Sequence, residues 1–80
     1  MEISALQAFV EVAERASFSA AAEALYLTQP AVSKRVAQLE SEFGTRLFDR
    51  IGRRISLTGS GAALLPRARR LINDARELKR

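Results

Sequence analysis

The sequence predicts a mainly α-helical domain with one small β-hairpin near its middle. Apolar residues recur with a helical period in three segments before residue 44, a short alternating segment follows, and a heptad pattern occupies residues 59–80. The chain has 80 residues, of which 48% are hydrophobic, so it can form one small core with marginal stability of its own. A partner subunit would add to that stability.

The composition excludes most catalytic chemistry. The chain contains no cysteine and no histidine, so zinc fingers, disulfides, thiol nucleophiles and imidazole bases are absent. The first residues, MEISALQ, lack a basic n-region, and no apolar run approaches the roughly 20 residues that span a bilayer. We therefore expect a cytoplasmic protein without a metal, a cofactor or a membrane partner.

The net charge of +4 is unevenly distributed. Residues 1–30 hold one arginine against four glutamates, whereas residues 31–80 hold twelve lysines and arginines against five acids. Such asymmetry indicates a polyanionic partner, most often a nucleic acid, although a solvated basic face is the simpler alternative.

The first two helices are expected to act as scaffold. Apolar residues at helical spacing predict a first helix from about Ser4 to Ala16. Ser19 is predicted to cap a second, short helix that ends at about Tyr26. Its run of alanines carries little side-chain bulk, so another helix can cross it closely.

A third helix is predicted within the segment Leu27–Phe43. Val32, Val36, Leu39 and Phe43 recur at steps of four, three and four, so they share a stripe that can pack on a core. Thr28 can cap this helix and Gly44 can end it. The outward face then carries short, polar or cationic residues: Pro30, Lys34, Ala37, Gln38 and Ser41, with Gln29 and Ser33 at its edge. A short helix, a tight turn and this helix together predict a helix-turn-helix.

A β-hairpin with a cationic tip is predicted from Leu47–Ile51 and Arg54–Leu57, with Gly52 and Arg53 between them. A two-stranded hairpin is weak alone, so its apolar side chains should pack back onto the helices. A hairpin in this place is a wing. The predicted fold is therefore a winged helix-turn-helix over residues 1–58, followed by a long helix over residues 59–80.

The start of the third helix carries residue types that read base edges in a major groove. Glutamine can pair with adenine, lysine can donate to guanine, and serine can serve a base or a phosphate, which suits Gln29, Lys34 and Ser33. Pro30 offers an apolar contact to a thymine methyl group. Thr28 can donate to a phosphate in addition to its capping role. The alternative is that these polar groups only solvate the helix end.

The arginines of the wing and of the helix flank are further candidates. One of Arg53 and Arg54, at the hairpin tip, is expected to enter a narrow minor groove. Arg50 either grips a phosphate or braces the hairpin against Glu40, and Arg35 reaches a phosphate or pairs with a glutamate. The DNA-contacting candidates are therefore Thr28, Gln29, Pro30, Ser33, Lys34, Arg35, Arg50, Arg53 and Arg54.

The last helix, which Thr58 can cap, is either an intramolecular element or a dimer interface. The dimer is favoured because no other unpaired element remains, and a two-fold axis would place two reading helices on the half-sites of a pseudo-palindrome. Pro66 is expected to kink or loosen the helix near Ala62, and the helix is expected to continue beyond Arg80. The candidate dimerisation residues are Leu64, Leu65, Ala68, Leu71, Ile72, Ala75 and Leu78.

The run SFSAAAEALYLTQPAVSKRVAQLESEFGTRLFDRIGRRISLTGSG closely resembles the N-terminal segment of LysR-type bacterial transcriptional regulators. The resemblance implies a winged helix-turn-helix and a linker helix through which two chains dimerise. It also implies that Gln29, Pro30, Ser33 and Lys34 face the groove, that Thr28 contacts a phosphate, and that Arg53 enters the minor groove. One departure is Ser60, where the family more often has alanine.

The same resemblance implies a larger protein acting at the bacterial nucleoid. Members of the family normally carry a C-terminal domain that binds an inducer and builds tetramers, so we expect this chain to be a DNA-binding fragment or a truncated product. RNA polymerase is a further partner implied for a full-length protein. The alternative function is a winged-helix protein-interaction module. An enzyme is disfavoured because Glu40, Glu42 and Asp49 have no nucleophile, metal set or phosphate loop beside them.

Overall fold

Four helices and one two-stranded antiparallel sheet make up residues 1–79, the part that the computed structural model describes. Arg80, which the prediction placed in the last helix, lies outside the described residues. The elements are α1 Ile3–Arg15, α2 Phe18–Leu25, α3 Gln29–Phe43, β1 Phe48–Ile51, β2 Arg54–Leu57 and α4 Gly59–Glu77. The predicted mainly α-helical fold with a small wing is confirmed.

Helix α1 supplies the centre of the core. Leu6, Phe9 and Val12, at helical spacing, are almost completely buried. The helix begins and ends one residue earlier than predicted, because Ala16 adopts a left-handed conformation with φ of 53° and closes it.

Helix α2 begins at a different cap from the predicted one. Ser17, not Ser19, is the N-cap, and its hydroxyl accepts a hydrogen bond from the Ala20 N–H at 3.0 Å. Ser19 instead lies within the first turn with its side chain exposed. The earlier start follows from Phe18, which is buried in the core and is the first residue of the helix.

Helix α3 packs as predicted over most of its length. Val32, Val36 and Leu39 are buried against the core, and Gly44 ends the helix with φ of 66°. Phe43 was predicted to belong to the same stripe, but it is 45% exposed. It occupies the last turn, where the chain leaves the core, and it lines a surface groove with Leu64.

The hairpin packs onto the helices through its first residue. Phe48 lies between Phe9 and Phe18, with ring centroids 5.4 and 5.8 Å away. Ile55 and Leu57 on β2 are partly buried against the same core, as predicted. Strand β1 begins at Phe48 rather than at the predicted residue 47, although Leu47 itself is buried.

Helix α4 belongs in part to the same core. Ala68 and Ile72 are buried, and α4 packs along α1, so these two residues are corrected from dimer contacts to intramolecular ones. Their spacing of four residues places both on the face that meets α1. Leu64 and Leu65 also pack partly against the core. The helix runs without interruption from Gly59 to Glu77, through Pro66.

The remaining candidates on α4 divide according to exposure. Leu71 is 44% and Leu78 is 88% exposed, and Ala75 is half-buried. Because α4 shares the core of the winged helix, the division at residues 58 and 59 does not separate two cores. None of the helices within residues 1–79 is long and apolar enough to cross a membrane.

Candidate nucleic-acid interface

The first turn of α3 presents a polar and cationic surface. The Thr28 hydroxyl caps the helix by accepting from the Ala31 N–H at 3.3 Å, and Pro30 lies within the first turn, as predicted. The side chains of Gln29, Pro30 and Lys34 are exposed. The positive end of the helix dipole adds to the attraction of this turn for anions.

The opposite side of α3 fixes the direction in which that surface points. Val32, Val36 and Leu39 are at most 2% exposed and pack among α1 and α2. The turn before the helix is closed by a hydrogen bond of 2.9 Å from the Leu27 N–H to the Ala22 carbonyl. Since the buried stripe cannot rotate without opening the core, the polar face is held in one orientation.

Two further candidates flank this face. Ser33 and Arg35 are half-exposed, on either side of the exposed Lys34. Arg35 forms no ion pair within residues 1–79, so its alternative pairing with a glutamate is not found. Its guanidinium is available at the edge of the α3 surface.

The wing has two different faces. Strand pairing places Phe48 opposite Leu57 and Arg50 opposite Ile55, and this side faces the core. The pleat turns the alternate residues outward, including the cross-strand pair Ile51 and Arg54.

The tip of the wing is a tight two-residue turn. Gly52 adopts φ of 62° at the first turn position, a conformation that β-branched or bulky residues strongly disfavour, and Arg53 follows it. Arg53 and Arg54 are both exposed and form no ion pair among the described residues 1–79. Two adjacent cations therefore project at the end of a slender element.

Arg50 interacts with an aromatic ring rather than with Glu40. Its guanidinium carbon lies 4.5 Å from the centroid of the Phe18 ring, within cation–π distance. The predicted brace against Glu40 is wrong, because the pleat directs Arg50 toward α2. The contact holds β1 against Phe18.

Glu40 instead joins α3 to the base of the wing, which the sequence did not indicate. Its carboxylate accepts a hydrogen bond from the Leu47 N–H at 2.8 Å and lies 3.8 Å from the Arg46 Nε atom. The contact crosses an irregular loop, so no helical or strand periodicity could have revealed it. It fixes the position of the wing relative to α3.

The acidic side chains near the wing do not form a catalytic or metal-binding group. Glu40 is used as described, and Glu42 pairs with the terminal amine of Met1 at 3.3 Å. Within residues 1–79, no three or more Asp, Glu, His or Cys side chains converge in a way that could hold a metal ion.

Residues 3–62 match the family model of bacterial regulatory helix-turn-helix proteins of the lysR family. The chain belongs to this family. It is a helix-turn-helix DNA-binding domain of the lysR type, and the matched residues extend from the start of α1 to the first turn of α4.

Solved structures and curated relatives agree with this assignment. A crystal structure of a CbnR_DBD–DNA complex has a TM-score of 0.92 at 37% identity, covering 99% of this chain and 91% of that chain. A BenM_DBD/benA site 1 DNA complex has a TM-score of 0.91 at 33% identity, covering 98% and 88%. An uncharacterized HTH-type transcriptional regulator of Azotobacter vinelandii, in the ibpB-leuC intergenic region, is 54% identical over the whole chain.

The lysR-family chain is shorter than its curated relatives. It spans 56% of the length of the Azotobacter vinelandii protein and 22% to 26% of the lengths of other relatives that it matches.

Proposed function

We propose that this domain binds a pseudo-palindromic DNA operator as a homodimer, with the start of α3 in the major groove and the wing in the minor groove. The observation that carries the proposal is the division of α3 into two sides. One side is buried to 2% exposure or less, whereas Gln29, Pro30 and Lys34 on the other side are exposed. A rigidly held helix with exposed base-reading side chains at its first turn is what major-groove recognition requires.

Each α3 residue has a proposed role that follows from its chemistry. Gln29 pairs with adenine, Lys34 donates to guanine, and Pro30 contacts a thymine methyl group. Ser33 and Arg35, on the flanks, contact base edge and phosphate respectively. The hydroxyl of Thr28 is already used as a helix cap, so its contact with a phosphate is secondary.

The wing supplies the second contact region. Arg53, at the tip, is proposed to enter the minor groove, where the negative potential is strongest when the groove is narrow. Arg54, on the outward face, is proposed to contact the adjacent phosphate. Arg50 has its guanidinium over Phe18, so we assign it a phosphate contact only at the edge of that ring.

Dimerisation is proposed to use the part of α4 that the core leaves exposed. Leu71 and Leu78 are seven residues apart on one helix face, and Ala75 lies between them. Pairing two such stripes removes exposed leucine from water and adds the stability that a small domain needs. In a longer protein, contacts with an inducer or with RNA polymerase would lie outside this chain, and the site of action would be the bacterial nucleoid in the cytoplasm.

Selection of bound sequences from a random duplex pool tests the proposal. We expect enrichment of a pseudo-palindrome whose half-sites are separated by about one helical turn or a multiple of it. Binding of the selected duplex should weaken steeply as salt rises, because each phosphate contact releases counterions. A pool without enrichment, together with a flat salt response, would favour the protein-interaction alternative.

A further inference from the structure

The tip of the wing carries an exposed apolar residue that no role described so far explains. Ile51, the last residue of β1, is 75% exposed. It lies on the outward face of the hairpin, where its cross-strand neighbour is Arg54. No partly buried hydrophobic residue of the core packs on it, since the apolar side chains of the wing that reach the core are on the opposite face.

The surroundings of Ile51 indicate the chemistry of its partner. Arg53 lies in the two-residue turn, Arg54 directly follows it, and Arg50 directly precedes Ile51. An apolar protein pocket that received Ile51 would have to desolvate the neighbouring guanidinium groups without neutralising them, which is costly. A partner that combines negative charge with apolar surface on the scale of one side chain avoids that cost.

A DNA minor groove has this combination. Its edges are lined by phosphates and its walls by deoxyribose, and proteins that bind minor grooves frequently place apolar side chains there beside arginines. Ile51 is one residue before the turn, so it reaches the wall of the groove while Arg53 reaches further in.

We infer that Ile51 packs against the deoxyribose wall of the minor groove beside Arg53, as an apolar contact that adds affinity without neutralising a phosphate. The inference rests on the proposed function, in which the wing enters that groove. It assigns the outward face of the wing a mixed contact, apolar through Ile51 and ionic through Arg54.

The test compares Ile51→Thr with Arg54→Gln in titrations of the selected duplex at several salt concentrations. Threonine is also β-branched and retains strand preference, so the hairpin is preserved. We expect Ile51→Thr to weaken binding by about fourfold or more, from about 0.8 kcal/mol per buried methylene, with an unchanged salt slope. Arg54→Gln should instead lower the slope by about 0.9 for each phosphate that the variant no longer neutralises.

Two controls separate the possible outcomes. Ile3→Thr makes the same chemical change at an exposed isoleucine on α1 and should leave affinity unchanged. Hydroxyl-radical footprinting should show sugars next to each half-site protected by the parent protein and reactive with Ile51→Thr.

If Arg53→Ala weakens binding but Ile51→Thr equals the parent protein, the inference about Ile51 alone is wrong. If the parent protein binds no duplex in a salt-dependent way, or if Arg53→Ala has no effect, the proposed position of the wing fails, and the inference fails with it. An altered salt slope for Ile51→Thr would also overturn the apolar assignment.

Discussion

Replacing Gly61 by alanine tests how closely α4 must approach the base of the wing. A Cβ atom at this position would collide with the Leu47 carbonyl oxygen and would lie 2.9 Å from the Leu57 Cδ2 atom. The carbonyl oxygen cannot easily move, because it already accepts a hydrogen bond from the Thr58 N–H at 3.0 Å. Gly61 is buried in the first turn of α4.

Two opposing effects set the size of the change. Alanine favours a helix over glycine by about 1 kcal/mol, whereas overpacking against a fixed backbone atom costs about 1–3 kcal/mol. Because the contact at Gly61 is far shorter than real Cβ contacts, the upper part of that range applies. We expect Gly61→Ala to lower the free energy of unfolding by about 1–2 kcal/mol, which lowers Tm by roughly 4–8 °C per kcal/mol in a domain of this size.

Urea and thermal unfolding measure this change, and Gly59→Ala is the matched control. A Cβ at Gly59 meets nothing within 4 Å, and Gly59 is the first residue of the same helix. Its replacement should leave stability unchanged or raise it by up to about 1 kcal/mol. Equal stabilities of the Gly61→Ala and Gly59→Ala variants would refute the close approach.

Three further predictions concern the turn, the base of the wing and α4. Tyr26 is 96% exposed and left-handed with φ of 56°, so Tyr26→Gly should raise the free energy of unfolding by about 1 kcal/mol in a urea titration. Glu40→Ala removes the acceptor of the partly buried Leu47 N–H and should cost about 1–3 kcal/mol by the same assay, whereas Glu40→Gln should cost less than about 1 kcal/mol. The double variant Leu71→Ser/Leu78→Ser should sediment as a monomer at concentrations where the parent chain is a dimer, with the fold retained in circular dichroism.

Each of these predictions has a contradicting result. A loss of stability in Tyr26→Gly would mean that the exposed ring contributes packing. Equal losses for Glu40→Ala and Glu40→Gln would show that the carboxylate charge, and not its acceptor role, stabilises the loop. A double variant that remains dimeric would place the interface on another surface.

Much of the fold could be predicted from the sequence because its signals are local. Alternation and turn residues located β2 within the correct bounds, and Thr28 and Thr58 were recognised as caps from their positions before helical patterns. The cap of α2 was misplaced because Ser17 and Ser19 are chemically equivalent. Only the burial of Phe18, which depends on the tertiary core, decides between them.

The errors at the site arise from contacts between distant elements. A leucine repeat on α4 cannot reveal that α1 covers Ala68 and Ile72, because intramolecular packing and dimerisation use the same spacing. The partners of Glu40 and Arg50 likewise depend on how the wing folds back onto the helices. The exposed face of α3 was predictable because one helix carries both the buried stripe and the polar face.

Methylation protection of guanine N7 on the selected duplex tests the position of α3 most directly, because N7 is exposed in the major groove. We expect guanines in both half-sites to be protected by the parent protein. Lys34→Ala should leave the guanine that Lys34 contacts unprotected and weaken binding by about 1–3 kcal/mol at fixed salt. A duplex that is fully bound while every N7 stays reactive would contradict the placement of this helix in the major groove.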